Sequence, residues 1–144
     1  MKKLLLTALA GIALLSTSFA AGTNTVNNKI KHNFGYDFKN VQDVKWSARD
    51  SYVVASFNLN DKGTQAFYDF DGSLIGTAQA VAVDNLPLSA KRTLAKKYSN
   101  YVVSETISFE KNDEVTYFIS LSNNKESVVL QVKDGQVSFY KKLS

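Results

Sequence analysis

Four groups of residues have types and spacings that could do chemistry, and each meets an obstacle. His32 is the only histidine, and the chain has no cysteine. A general base or metal ligand there would lack the partners such roles require. Asp37 is nearby, but it falls where the surrounding helical pattern ends, so His32 is expected to be a surface helix histidine. Asp69-Phe70-Asp71-Gly72 has the start of a calcium loop. Such a loop wants Gly at its sixth position and an acid at its twelfth, and these hold Leu74 and Ala80. A tight hairpin accounts for the segment better. Lys91, Arg92, Lys96 and Lys97 form a basic group, with Lys29 and Lys31 in an earlier segment. They would suit an acidic partner or anionic headgroups, but they also suit a solvated helix surface. The acids fall mostly in turns, so a hydrolase built on two converging carboxylates is the weakest reading. No Gly-x-Ser-x-Gly elbow is present. The chain is expected not to be an enzyme and to use no cofactor and no metal.

The elements that would position these groups follow from periodicity. Val26, Ile30, Phe34 and Phe38 recur at steps of four, an apolar stripe on one helical face. Thr23, Asn24 and Thr25 offer cap oxygens ahead of it, and Gly35 marks its expected end. Ala90, Leu94 and Tyr98 make a second stripe, with Pro87 suited to its first turn. Lys96 and Lys97 lie near its C-terminal end, where cations oppose the macrodipole. Val53, Ala55, Phe57 and Leu59 alternate with polar residues, the period of a half-buried strand. The strands are expected at Val44–Trp46, Val53–Leu59, Gln65–Phe70, Leu74–Val83, Tyr101–Phe109, Val115–Leu121, Ser127–Val132 and Gln136–Tyr140. The turns between them are rich in Asn, Asp and Gly.

These elements repeat. Gln65-Ala66-Phe67-Tyr68-Asp69-Phe70-Asp71-Gly72 returns in outline as Ser127-Val128-Val129-Leu130-Gln131-Val132-Lys133-Asp134-Gly135, and the two Asp-Gly pairs lie 63 residues apart. At the same offset Tyr52 maps to Val115 and Val54 to Tyr117, while Ile30 maps to Leu94 at 64. One supersecondary unit used twice is implied. The expected fold is α+β: a tandem repeat of one helix plus a four-stranded antiparallel sheet, with the helices packed on one sheet face. The units are expected at about 24–84 and 85–144.

Val44-Lys45-Trp46 after a helical stripe, then Ala66 through Thr77 with its Asp71-Gly72 turn, then Leu86-Pro87 and a short helix ending at Lys97-Tyr98, together resemble the PepSY-like family of exported bacterial proteins. That family is described as sharing the β-lactamase-inhibitor-protein fold. The resemblance runs from about Ile30 onward and rests on structural motifs. It implies tandem helix-plus-sheet units and an inhibitory or protein-binding role. The disulfides of such inhibitors have no counterpart here.

The opposite sheet face, left open, is the expected binding surface. If Val53, Ala55 and Phe57 face the helices, Tyr52 faces away. In the next strand either Phe67 or the pair Tyr68 and Phe70 does so, and Trp46, Tyr117 and Tyr140 add to the set. Tyr and Trp favour interfaces because they bury large area and keep a polar handle, although the same rings also stabilise sheets through cross-strand pairs. Trp46, Tyr52, Phe67 and Tyr117 are the candidate protein-binding residues.

The N-terminus supplies a location. Lys2 and Lys3 precede an apolar run from Leu4 to Leu15, and Ser18-Phe19-Ala20 offers small residues to a signal peptidase. A signal peptide over 1–20, cleaved after Ala20, leaves a domain over 21–144 with no membrane segment, placed in the periplasm or medium. Loss of the two lysines lowers the formal charge from +4 to +2, which does not call for nucleic acid. The expected function is an exported non-enzymatic binding module for an envelope or extracellular protein. The alternative is a periplasmic carrier of a small ligand, lipid or pigment, with a pocket between sheet and helices.

Overall fold

The computed structural model describes residues 26–144; the expected signal segment and the candidate caps Thr23, Asn24 and Thr25 lie outside them. The described residues form two α-helices and eight strands: α1 (Asn28–Asp37), β1 (Lys45–Ala48), β2 (Val53–Leu59), β3 (Lys62–Tyr68), β4 (Leu74–Ala80), α2 (Leu88–Lys97), β5 (Val102–Lys111), β6 (Glu114–Ser122), β7 (Ser127–Lys133) and β8 (Gln136–Lys142). A short 3-10 turn, Val83–Asn85, precedes α2.

The strands correct the expected architecture. They form one eight-stranded sheet in sequence order, β1 through β8, in place of two repeats of a helix and a separate four-stranded sheet. A sheet ending at β4 would present a row of unpaired N–H and C=O groups. Instead the ladder continues, and just past β4 the Val81 amide donates to the Thr106 carbonyl of β5 at 2.9 Å.

The chain divides into two compact units, one ending at Ala78 and the other spanning Gln79–Ser144. In the first, Asn27 caps α1, its side chain accepting from the Ile30 amide at 2.9 Å. The helix runs past Gly35 to Asp37, where the Phe38 amide closes on the Phe34 carbonyl. Its buried residues Ile30 and Phe34 lie on Val53, Ala55, Phe57, Ala66 and Tyr68. Phe34 is the hub, with its ring 5.1 Å from Trp46, 5.1 Å from Phe57, 5.2 Å from Phe38 and 6.4 Å from Tyr68. Large rings fill this core.

In the second unit, Ala90 of α2 and Leu86 before it pack on Ile119, Leu121, Val128, Leu130 and Val132, with Leu94, Tyr98 and Tyr101 at the margin. Aliphatic residues replace the rings. Ser104 enters β5 as a bulge between Val103 and Glu105, and Tyr140 enters β8 opposite Val129 and Leu130. Both bulges fall at the level where Ser120 pairs with Val129. An extra residue bends a strand and sharpens its twist, so the sheet of this unit turns at that level on both sides of the β6–β7 pair.

The turns show why the strands stop. Asn60-Asp61, Asn112-Asp113 and Asp134-Gly135 all have positive φ at both positions, the mirror-image turns whose twist matches a hairpin. Asp71-Gly72 is different: only Gly72 is positive, at +90°. There the Asp69 side chain accepts from the amides of Asp71 and Ser73 at 2.9 and 3.0 Å.

Candidate functional site

The sequence-derived aromatics do not share one surface. Trp46 packs edge-on against Phe34, under α1. Tyr117 lies on the helix-facing side of β6, at the margin of the aliphatic core. Tyr52 and Phe67 do lie on the helix-free side, as a ring pair 6.0 Å apart, but they are 7% and 1% exposed. Val54 and Gln65 beside them are buried too. The helix-free side of β2 and β3 is therefore not an open face at these positions.

The register explains the difference. Helix-facing Ala55 and Phe57 correspond to helix-facing Ile119 and Leu121, an offset of 64, whereas the Asp-Gly turns are 63 apart. A slip of one residue moves a whole strand pattern to the other face. Tyr52 thus corresponds to Thr116 and Val54 to Phe118, and Tyr117 falls on the core side.

His32 is exposed on α1. Among the described residues no group of three or more His, Asp and Glu side chains could hold a metal ion. Asp69 is committed to the backbone amides of its own turn. Arg92, Lys96 and Lys97 are exposed on α2, and the Lys91 ammonium donates to the Asp84 carbonyl at 3.1 Å.

Two features of the second unit stand out instead. The first is β8, the last strand of the sheet, whose central Phe139 is 63% exposed. Phe139 pairs with Leu130 of β7 on the inner side. The outward backbone groups of an edge strand are a template for another extended segment. Lys141 and Lys142 follow at its C-terminal end. Tyr140 makes an edge-on contact with Phe118 at 5.1 Å, and burial pushes its hydroxyl pKa up.

The second feature is a groove of about 340 Å³ beside α2, lined by apolar and aromatic residues of α2, β5 and β6 together with Lys91. At its margin Tyr98 and Tyr101 stack edge-on at 5.4 Å. The Tyr101 hydroxyl donates to Glu126, and the Lys142 ammonium reaches the same carboxylate at 3.6 Å. The hydrogen bond from Tyr101, with a smaller effect of Lys142, lowers the Glu126 pKa.

On β5, Glu105 carries a carboxyl whose pKa is raised by partial burial. Sequence periodicity missed the groove because it depends on how side chains of different size fill the space beside α2, which the period of a strand or helix does not report.

No protein-family model matches the chain, and no curated protein matches it in sequence. Solved structures do match in fold. A BLIP-like protein from Bacteroides fragilis superposes with a TM-score of 0.72 at 18% identity, over 85% of this chain and 89% of that one. The fold is BLIP-like. A protein from Bacteroides eggerthii, provisionally described as periplasmic, gives 0.75 at 14% identity over 83% and 90%. A DUF2874 family protein from Bacteroides uniformis gives 0.72 at 14% over 80% and 90%. Among the described residues no helix is long and apolar enough to cross a membrane.

Proposed function

We propose that this chain is an exported, non-enzymatic binding module that engages an envelope or extracellular protein along β8. The observation that carries this reading is Phe139, 63% exposed at the centre of a seven-residue strand that closes the sheet. A large ring on an unpaired edge is a liability for a solitary protein. Under a partner strand it becomes an anchor, with main-chain hydrogen bonds giving affinity and the ring giving specificity. The BLIP-like neighbour and the neighbour described as periplasmic support a binding role in an exported protein, as does the PepSY-like order of motifs. On this reading Trp46, Tyr52, Phe67 and Tyr117 act as the scaffold that holds β2, β3 and β6 in place, and the contact surface lies elsewhere.

The test is a photo-crosslinking residue at position 139 of the purified protein, with a second variant carrying it at Lys45 on the opposite edge strand. Each is mixed with native envelope proteins, irradiated and analysed by mass spectrometry. One protein crosslinked from 139 and not from 45 is the expected result. Equal crosslinking from both positions, or none from 139, would sink the assignment.

A further inference from the structure

We propose that the groove beside α2 binds a single-chain amphiphile with an anionic head, the chain lying over Val103 and Leu121 and the head at Lys91. This site is separate from the β8 edge and does not depend on it.

The groove is walled by α2 on one side and by Val103 of β5 and Leu121 of β6 on the other. Ala55 and Ile119 occupy equivalent helix-facing positions, and their cross-strand partners are Trp46 and Thr106 respectively. At the offset of 64, Phe57 corresponds to Leu121 and Tyr68 to Val132. Beneath α1 the rings meet at centroid distances of about 5 Å and fill the space. Beneath α2 the packing is redistributed: Thr106, Leu121 and Val132 stand where Trp46, Phe57 and Tyr68 do under α1, while Tyr117, Ile119 and Leu130 replace Val53, Ala55 and Ala66.

Protein interiors are close-packed, so space that side chains leave unfilled beside a helix remains as a void or opens to solvent. Here it opens, as about 340 Å³, within the lower part of the roughly 300–1,000 Å³ range of ligand sites.

Charge selects the occupant. The walls that would hold a chain are Leu94, Ala95, Tyr98, Val103 and Leu121, and Lys91 is the one charged residue lining the groove. Its ammonium donates to a neutral backbone carbonyl, that of Asp84, which leaves its charge available to a second acceptor. Helix α2 contains no acidic residue, and Arg92, Lys96 and Lys97 add to the positive potential around it. An apolar slot ending at one cation matches a hydrocarbon chain ending in one anion.

The experiment titrates the purified protein with dodecanoate below its critical micelle concentration and, separately, with dodecyltrimethylammonium. Calorimetry and amide chemical shifts provide the readouts. The expected result is saturable one-to-one binding of dodecanoate, with shifts at Leu94, Ala95 and Val103 and none at Phe139. The ammonium should bind about tenfold more weakly, the effect of exchanging one attractive for one repulsive charge near a protein surface. Lys91→Glu should reverse that preference. Ala95→Trp, at an exposed wall position, should fill the groove and abolish binding while the thermal midpoint stays near that of the parent. Equal affinity for the two headgroups, or binding that survives Ala95→Trp, would overturn the proposal. So would no saturable binding of dodecanoate. Crosslinking at position 139 reads the β8 assignment independently, so failure of one does not imply failure of the other.

Discussion

The hydroxyl of Tyr68 donates to the carboxylate of Asp37 at 2.7 Å, fastening the end of β3 to the last residue of α1. Burial, followed by this hydrogen bond and the charge of Asp37, pushes the Tyr68 pKa far above that of a free tyrosine. The neutral phenol is thus the form the fold favours. Its contribution is complete below the unfolded pKa of about 10 and is lost as pH rises above it. Tyr68→Phe keeps the ring beside Phe34 and removes the bond. Urea unfolding at pH 7 should show a loss of about 1.5–3 kcal/mol, the usual range for a hydrogen bond to a charged group. The variant should also lose less stability than the parent between pH 9 and 11. Some alkaline decline should remain, because the pKa values of Tyr52 and Tyr140 are raised by burial as well.

Phe67 and Phe139 should separate folding from binding. Phe67 is 1% exposed and stacked near Tyr52, so Phe67→Ala is expected to cost about 3–5 kcal/mol. Phe139→Ala should change stability by no more than about 0.5 kcal/mol and yet weaken partner capture. Denaturation curves of both variants, read beside a binding assay, check the pair.

The glycines of the two Asp-Gly turns should respond unequally. Each turn is tied to a helix through its glycine carbonyl, by the Asn33 amide at 2.6 Å and the Ser89 hydroxyl at 2.7 Å. A Cβ on Gly72 would meet Asn33 Nδ2 at 3.0 Å and Lys29 Cγ at 3.2 Å, whereas one on Gly135 would meet only Ser89 Oγ, at 3.3 Å. Both positions also carry the cost of positive φ for alanine, on the order of 1 kcal/mol. Gly72→Ala should therefore lower the thermal midpoint more than Gly135→Ala. Gly35, within α1 and with open space around it, should gain about 0.5–1 kcal/mol as alanine.

Tyr101 should be visible in the titration of Glu126. Its hydrogen bond is the main reason that the Glu126 pKa lies below the ordinary carboxylate value. A lowered folded pKa means that the interaction is present at neutral pH and is lost as pH falls through that pKa. Carboxyl NMR titration of Tyr101→Phe should move the Glu126 midpoint upward, and Lys142→Ala should move it in the same direction by less.

The order of elements was legible along the chain. Alternation at Val53–Leu59, the stripes through Ile30–Phe34 and Ala90–Leu94, and the Asn-Asp and Asp-Gly pairs located the helices, strands and most turns within a few residues. The α1 cap was placed too early, because Asn27 competes equally well with Thr25 on local grounds and only the observed bond to the Ile30 amide decides between them.

The sequence by itself determined which segments are helix and which are strand, because those choices rest on periodicity and turn chemistry within about ten residues. Only the tertiary structure decided that β4 and β5 join one sheet, since pairing an edge is a long-range hydrogen-bond requirement that neither strand encodes alone. Only the tertiary structure decided that Tyr117 turns inward, on the face of Ile119 and Leu121. A strand has a period of two, so its pattern defines two faces, and a register of 64 against 63 chooses which one is buried.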